Sequence, residues 1–174
     1  MGTAPDYESF IAGLVRDLLR KRRISNLRHG SKNRLTGRSG ATHQLDVSFV
    51  DNELSPNALV VIECKCLTKK IDLSHVKVLK ATLDDLLGAS GNASVGKAMI
   101  VSTKGAQRGA KQYAKYYGLD VQSVSDGPAY TLSYQGLSLV AATGTSDGSN
   151  SAQAHGVALR PCKVCGTTFE TNGR

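Results

Sequence analysis

Three charged side chains in two strand-like segments are suited to phosphate chemistry. Residues 60–66 are Val-Val-Ile-Glu-Cys-Lys-Cys, so Glu63 and Lys65 stand two positions apart in an apolar run. Because alternate side chains of an extended strand share a face, we expect this acid and this lysine to point the same way. An earlier alternating segment, 44–50, contains Asp46. Burying an unpaired charge is costly, so the three groups need partners or a function.

This set of residues favours metal-assisted hydrolysis of a phosphodiester. Carboxylates on neighbouring strands bind a hard cation such as Mg²⁺ or Mn²⁺, and the backbone carbonyl of Cys64 could supply a further ligand. Such a metal acidifies a water molecule and shields phosphate charge, and a lysine beside it orients the water or stabilises the pentacovalent phosphate. The alternative is an ordinary ion pair at a strand end, since an isolated Glu-x-Lys is common. The sequence offers no Ser/His/Asp arrangement for acyl transfer.

Positive charge is concentrated towards the N-terminus. The 174-residue chain carries a formal net charge of +8 and has a sequence pI of about 9.5. The crowded cations are Arg16, Arg20, Lys21, Arg22, Arg23, Arg28, Lys32, Arg34 and Arg38. Such clustering is typical of binding to a polyanion, most often nucleic acid, although a solvated basic helix end is an alternative. With no Trp and 5% aromatic residues, phosphate contacts suit the chain better than base stacking.

Length and composition indicate one globular domain with a small appendage. Apolar residues make up 40% of the chain, which suits a soluble protein with a buried core. No long uncharged apolar run predicts a transmembrane helix, and the N-terminus lacks the basic start and apolar core of a signal peptide. Two of the four cysteines fall in a strand-like segment, so a disulfide framework is not expected. We therefore expect a cytoplasmic, reducing setting and no membrane partner.

The hydrophobic pattern predicts an α/β fold in which helices flank a mixed central sheet. The predicted helices are 6–22, 74–87 and 105–117. The predicted strands are 24–29, 45–50, 58–66, 97–103 and 119–124, with one or two edge strands in 130–142. The second and third strands should form an antiparallel hairpin, and the glycine-rich segment 30–41 is predicted to be a loop.

One acid of the first helix has two interpretations. Glu8 falls at the edge of the apolar stripe and not on the basic outer face. An acid in the first turn interacts favourably with the helix dipole, which is the simpler interpretation. Alternatively, Glu8 is a third carboxylate of the site, and its proximity to Asp46 and Glu63 would decide.

The C-terminal part has the composition of a linker followed by a short tail. The predicted segments are a domain at 1–142, a flexible linker at 143–155 and a tail at 156–174. In the tail, Cys162 and Cys165 have the spacing of half a zinc site. Three alternatives stay open: zinc bound with His155 and another ligand, zinc shared across a dimer, and no metal. Cys64 and Cys66 are assigned to the packing face of their strand.

These motifs together resemble those of PD-(D/E)XK nucleases, most closely the Mrr-type restriction endonuclease catalytic domain. The matching stretches are 7–10, 40–47, 61–65, 98–103 and 110–121. The resemblance implies a restriction-endonuclease-like αβββαβ core and Mg²⁺-dependent phosphodiester hydrolysis. It also implies metal ligation by Asp46 and Glu63, the motif lysine at Lys65 and a helix acid at Glu8. The proline of the motif is absent before Asp46.

The segment before Asp46 supplies candidate DNA contacts. They are Lys32, Arg34, Arg38, Ser39 and Gln44. Residues 38–40, Arg-Ser-Gly, also resemble the glycine-serine loop of archaeal Holliday junction resolvases, so Ser39 could touch the scissile phosphate; a turn serine is the alternative. Gln44 either shares the site face with Asp46 or lies at the exposed start of the strand. We expect His43 at the surface.

We therefore expect an Mrr-like, Mg²⁺-dependent DNA endonuclease whose partner is DNA. A structure-selective nuclease such as a junction resolvase is one alternative. A catalytically silent DNA-binding module is another, although a silent copy has no reason to keep three buried charges. A homodimer that cuts both strands stays open.

Overall fold

A five-stranded mixed sheet with helices on both faces forms the body of the protein. The computed structural model describes residues 4–89, 96–124, 129–142, 158–161 and 168–171. The helices are α1 (Ala4–Leu18), α2 (Leu73–Leu86) and α3 (Arg108–Tyr116). The strands are β1 (Ile24–His29), β2 (Arg34–Thr36), β3 (Thr42–Gln44), β4 (Val47–Asp51), β5 (Ala58–Lys65), β6 (Gly96–Ser102), β7 (Asp120–Ser123), β8 (Ala129–Tyr134), β9 (Leu137–Ala142), β10 (Ala158–Pro161) and β11 (Thr168–Thr171).

The strand order in the main sheet is β1-β4-β5-β6-β7. β4 pairs antiparallel with both β1 and β5, whereas β6 pairs parallel with β5 and β7 pairs parallel with β6. A parallel neighbour needs a crossover connection, and α2 and α3 provide the two crossovers. This order reproduces the predicted αβββαβ core, and the predicted α/β class is confirmed.

Alternation along β5 divides its side chains between two hydrophobic cores. Val60 and Ile62 pack with α1 on one face, whereas Val61 packs with α2 and α3 on the other. Cys64 and Cys66 pack against the α1 core, which is the face that the alternation predicts. The two charged residues near the end of the strand therefore face α2.

The segment 30–41, predicted to be a loop, contains the first strand of a β-hairpin. β2 and β3 pair with each other, and β3 does not continue into β4. The strand predicted at 45–50 therefore begins at Val47. The separation is held by Asn33, which is 2% exposed. Its side-chain amide donates to the Leu45 carbonyl at 2.9 Å, and the Leu45 N–H donates to the Asn33 carbonyl at 2.9 Å. The prediction was wrong here because these bonds join distant residues, which local composition does not reveal.

The first helix is also shorter than predicted. α1 ends at Leu18 and not near Arg22, and the chain turns before β1. The turn brings the Arg22 guanidinium to within 2.9 Å of the Asp51 carboxylate at the end of β4. A helix that continued to residue 22 would carry this cation away from its buried partner.

The two C-terminal strand pairs lie outside the main sheet. Segment 130–142 contains two strands, but β8 and β9 pair with each other and do not extend the edge of the sheet. The side-chain amide of Gln122 in β7 takes the place of strand pairing, since it bonds both the N–H and the carbonyl of Ser133 in β8.

The remaining tail is described only in part. β10 and β11 form an antiparallel pair, and β11 lies against α1. The predicted linker 143–155, with His155, and the cysteines Cys162 and Cys165 lie outside the described residues. Within the described ranges, the helices are too short or too polar to cross a membrane.

A buried carboxylate joins three parts of the fold. Asp51 has 0% exposure and accepts hydrogen bonds from Arg22 at 2.9 Å, from the Tyr134 hydroxyl at 2.9 Å and from the backbone N–H of Glu53 at 3.0 Å. Burial alone would raise the pKa of Asp51, but the bonds from Tyr134 and Glu53 and the charge of Arg22 outweigh it and lower that pKa. The carboxylate is therefore held in its ionised form.

Removing this carboxylate should destabilise the fold strongly. Asp51→Ala leaves the Arg22 guanidinium, whose side chain is 15% exposed, with only the longer 3.5 Å contact to Glu53, and removes the acceptor of the Tyr134 hydroxyl. We expect the free energy of unfolding, measured by urea denaturation at neutral pH, to fall by about 3–5 kcal/mol. The control is Asp17→Ala, which breaks the exposed pair with Arg20 and should cost less than about 1 kcal/mol.

The effect of Asp51→Ala should also depend on pH. A carboxyl whose folded pKa is lowered contributes fully above its unfolded pKa, ordinarily 3.8, and its contribution is lost as the pH falls through the folded pKa. The unfolding free energies of the wild type and the variant should therefore converge below that ordinary value. If the difference in unfolding free energy between wild type and variant stayed constant down to strongly acidic pH, it would contradict an ionised Asp51.

Candidate active site

The site forms where β5 continues past its antiparallel neighbour. The last pair between β4 and β5 joins Val47 and Ile62, so the following β5 residues have no partner on that side. Asp46 immediately precedes β4, and its carboxylate accepts the backbone N–H of Cys64 at 2.7 Å. The carboxylate thus takes the place of a strand partner, and it lies directly beside Glu63 in the sheet.

Glu63 and Lys65 form an ion pair on the α2 face of β5. Their charged atoms are 2.5 Å apart, and the two side chains are 25% and 28% exposed. Burial alone would lower the pKa of Lys65, but the hydrogen bond and the charge of Glu63, together with the charge of Asp46, raise it. The lysine is therefore held as a cation inside the group of acids.

Glu8 completes the cluster from α1. Burial, followed by the charges of Asp46 and Glu63, raises the pKa of Glu8 to about 7. Burial and the charge of Glu63 raise the pKa of Asp46 to about 6, although the bond from Cys64 opposes the rise. These mutual effects mean that the three acids lie within electrostatic range of one another. The structure thus brings together Glu8, Asp46, Glu63 and Lys65, the residues that the sequence nominated for catalysis.

The donor set of this cluster fits a hard divalent cation. Asp46 and Glu63 offer carboxylate oxygens, which Mg²⁺ prefers. Lys65 accepts the N–H of Thr103 with its carbonyl on the β6 side. Because successive carbonyls of a strand alternate in direction, the Cys64 carbonyl points to the opposite side, where Asp46 lies. Within the described ranges no three His, Cys, Asp or Glu side chains are grouped so that they could hold a metal ion, so an ion bound by Asp46 and Glu63 would need the Cys64 carbonyl and water as further ligands.

Two residues of the cluster, Glu63 and Lys65, line a cleft of about 140 Å³ between β5 and α2. One wall is Glu63 and Lys65, and the other is the α2 side chains Ser74, His75, Val78, Leu79 and Thr82. None of these α2 residues was predicted from the sequence to belong to the site. The available signal was positional, because a helix that follows a parallel strand after a short connection begins near the carboxyl end of that strand.

The first turn of α2 is fixed by Asp72. Its carboxylate accepts from the Ser74 N–H at 2.9 Å and from the Ser74 hydroxyl at 2.5 Å, and it lies 2.9 Å from Nδ1 of His75. Together with the His75 N–H, these groups form a capping box at the start of the helix. The hydrogen bonds from the side chains of Ser74 and His75 lower the pKa of Asp72 to about 2.

Two of the predicted DNA contacts lie at the other end of α2. The Ser39 hydroxyl donates to the Asp85 carboxylate at 2.7 Å, and the Ser39 N–H donates to the same group at 2.8 Å. The Arg38 guanidinium donates to the Asp84 carbonyl at 2.7 Å. Asp85 lies ten residues beyond His75, which is roughly 15 Å along a helix. Ser39 therefore bonds within its own turn and to α2, at a distance from Glu63 and Lys65.

His43 also contacts the Asp85 carboxylate and is therefore not a free surface residue. Its Nε2 lies 2.7 Å from the Asp85 carboxylate. The bonds from His43 and then from Ser39 lower the pKa of Asp85 to about 2. A Cβ at Gly37 would overlap this carboxylate, so a larger residue there would force the Asp85 side chain to shift. The β2–β3 hairpin is thus attached to the C-terminal end of α2.

The other predicted DNA contacts are the exposed side chains of this hairpin. Lys32, Arg34 and Gln44 are exposed. Arg34 donates from Nε to the Ser31 carbonyl at 3.2 Å, a local bond that leaves the rest of its guanidinium at the surface. The hairpin therefore presents two cations to solvent while its turn is fixed on α2.

Loss of the Asp85 carboxylate should loosen the hairpin without unfolding the domain. Asp85→Asn weakens three hydrogen bonds that join residues 37–43 to α2, so the amides of β2 and β3 should exchange faster with deuterium. Asp84→Asn is the matched control, because the Asp84 carboxylate pairs with Lys80 and contacts the hairpin only through its backbone. Equal exchange in both variants would contradict the anchoring role of Asp85.

Comparison with known proteins identifies the family. The family model described as "Restriction endonuclease" (Mrr_cat) matches residues 8–125, a segment that contains Glu8, Asp46, Glu63 and Lys65. No curated protein sequence matches the chain.

Three solved structures resemble the fold at low sequence identity. A protein of unknown function, AF1548, is 18% identical with a TM-score of 0.49, and the match covers 66% of this chain and 56% of that one. A repair endonuclease from Pyrococcus abyssi is 22% identical with a TM-score of 0.45, covering 68% and 46%. The EndoMS–dsDNA2 complex is 19% identical with a TM-score of 0.43, covering 72% and 46%.

This chain spans about half the length of those proteins. At these levels of identity and superposition the likeness carries no information on function. The family match is stronger evidence for the family of this chain, since it extends over more than half of the sequence and includes all four clustered residues. The chain belongs to the restriction endonuclease family described by the Mrr_cat model.

Proposed function

We propose that this protein is a Mg²⁺-dependent DNA endonuclease that hydrolyses phosphodiester bonds. The strongest support is that Asp46, Glu63 and Lys65 lie close together where β5 extends past the start of β4. Membership of the restriction endonuclease family supports a nuclease in general. Metal dependence and an Mrr-like preference are the parts that the proposal adds.

The residues that would hold the metal are Asp46, Glu63 and the carbonyl of Cys64. When bound there, Mg²⁺ or Mn²⁺ supplies Lewis acidity that lowers the pKa of a water molecule and neutralises phosphate charge. Burial, followed by repulsion from the neighbouring carboxylates, raises the pKa values of Glu8 and Asp46, and the charge of Lys65 only partly offsets this. A divalent cation would relieve this repulsion.

The protein side chains would position the reacting groups. Lys65, held in place by Glu63, would orient the attacking water and donate to the pentacovalent phosphate, where negative charge increases. Glu8, reaching the site from α1, would hold water by hydrogen bonding. The Cys64 thiol packs against the α1 core, and burial raises its pKa well above the ordinary value, so it is kept as an inert thiol.

DNA is the partner that the surface charge favours. Lys32 and Arg34 are exposed on a hairpin that leads directly into Asp46, and Arg28 is exposed on the adjoining strand β1. Cations in this position would contact backbone phosphates, which position a duplex without reading its sequence. A homodimer and zinc at Cys162 and Cys165 stay predictions.

Removal of the lysine should abolish cleavage but not binding. Lys65→Ala is expected to lower the rate of Mg²⁺-dependent cleavage by roughly 100- to 1,000-fold, because one donor to the developing charge is lost. Affinity for DNA, measured by fluorescence anisotropy without metal, should change little, since one cation among several is removed. Lys69→Ala is the control, as it removes the same charge from an exposed position in the following loop. Wild-type cleavage by Lys65→Ala would refute the mechanism.

The preferred substrate should be found with a panel of linear, supercoiled, methylated, flap and four-way junction DNAs. With Mg²⁺ or Mn²⁺ present, we expect cleavage of duplex DNA. Cleavage confined to the junction would replace the proposal by a junction resolvase. Binding without cleavage of any member would identify a silent DNA-binding module.

Metal binding should be detectable without a substrate. Mg²⁺ or Mn²⁺ should raise the Tm of the wild type in a concentration-dependent way, because a ligand that binds only the folded state stabilises it, and chelation should reverse the rise. Asp46→Asn keeps an oxygen for the Cys64 N–H but loses the charge, so its Tm should not respond. Asp84→Asn, in an exposed pair, should respond like the wild type. An equal rise in all three proteins would place the ion elsewhere.

A further inference from the structure

The catalytic cleft has a second wall for which the proposed function gives no role. Ser74 and His75, in the first turn of α2, line the same cleft as Glu63 and Lys65. We propose that His75 contacts the substrate there, donating a hydrogen bond from Nε2 to a non-bridging oxygen of the scissile phosphate. This inference rests on the proposed function, because it requires the phosphate to lie beside Lys65.

The orientation of the imidazole is fixed on one side only. Nδ1 lies 2.9 Å from the Asp72 carboxylate, a charged partner that sets which way the ring turns. Nε2, on the other side of the ring, makes no hydrogen bond within the described residues. The side chain is 31% exposed, so a ligand in the cleft can reach it.

The charges around the ring favour an anion as its second partner. Asp72 is the acid nearest to the ring, and it is already hydrogen-bonded by Ser74 and by the start of the helix. Lys65 lines the facing wall and is paired with Glu63. A protonated imidazole donates from both nitrogens, so a single ring can join the Asp72 carboxylate to a phosphate oxygen.

One bound phosphate group can contact both walls of the cleft. Its volume is about 140 Å³, and Glu63 and Lys65 line one side of it while the first turn of α2 lines the other. A phosphodiester that occupies it beside Lys65 would therefore also lie against α2. The contact would be strengthened in the transition state, where charge on the phosphate oxygens grows.

A purely structural role for His75 is the competing explanation. Its Nδ1 also lies 3.4 Å from the backbone nitrogen of Asp72, whose N–H it can accept only when Nδ1 carries no proton, and His75 is the N3 residue of the capping box. Glutamine is a common residue at this position of a capping box and can accept the same N–H. His75→Gln therefore keeps the cap and removes only the imidazole.

Steady-state cleavage by His75→Gln tests the proposal. We expect kcat to fall roughly 100-fold with KM nearly unchanged, because the lost contact acts mainly in the transition state, while the urea midpoint stays that of the wild type. Lys77→Gln is the control, since it places the same residue on the opposite side of α2, away from the cleft. Wild-type kcat in His75→Gln, or activity lost in His75→Ala and restored by glutamine, would assign His75 to the helix cap alone.

A binding measurement separates this inference from the proposed function. In protein with ¹⁵N-labelled imidazoles and without divalent metal, a short DNA duplex should shift the Nε2 resonance of His75. Absence of that shift would overturn the contact even if the wild type cleaves DNA. A wild type that cleaves no DNA would refute the proposed function, and a His75 shift in that protein would still support the phosphate contact.

Discussion

The site depends on one hydrogen bond, from the N–H of Cys64 to the carboxylate of Asp46. β5 extends past the start of β4, so its last residues would otherwise leave a backbone donor without a partner at the edge. A carboxylate at that place satisfies the donor and brings a negative charge beside Glu63. The same contact therefore gives the edge donor a partner and brings the acids together. Burial and the charge of Glu63 raise the pKa of Asp46, whereas the bond from Cys64 opposes the rise.

Asp46 can occupy this place because the chain leaves the strand pattern just before β4. Asn33 holds the backbone at Leu45 by bonding to it, and Ser48 donates to the Asn33 side chain at 3.0 Å. The β2–β3 hairpin that results is fixed at its turn by Asp85. The two ends of α2 thus have different tasks: the first turn borders the cleft, and the last turn holds the hairpin that leads into Asp46.

The sequence predicted which charged residues come together better than it predicted their surroundings. Glu63 and Lys65 were placed on one face by strand alternation, and the opposite assignment of Cys64 is confirmed by its packing against the α1 core. The cluster of cations and the resemblance of residues 38–40 to a resolvase loop predict Arg38 and Ser39 as DNA contacts, and the structure bonds both to the end of α2. Their partners lie 46 residues away in the sequence, and no local pattern reports such a bond.

By itself the sequence determined the order of the core elements along the chain, the phase of β5 and the identity of the clustered charges, because these follow from short-range periodicity and local motifs. Only the tertiary structure decided that α1 ends at Leu18, that a hairpin replaces the predicted loop and that His75 lines the cleft with Lys65. Each of these depends on a contact between distant segments: Arg22 with buried Asp51, Asn33 with Leu45, and the first turn of α2 with the end of β5. Such contacts gain their energy only when the chain is folded, so they leave no signal in local sequence.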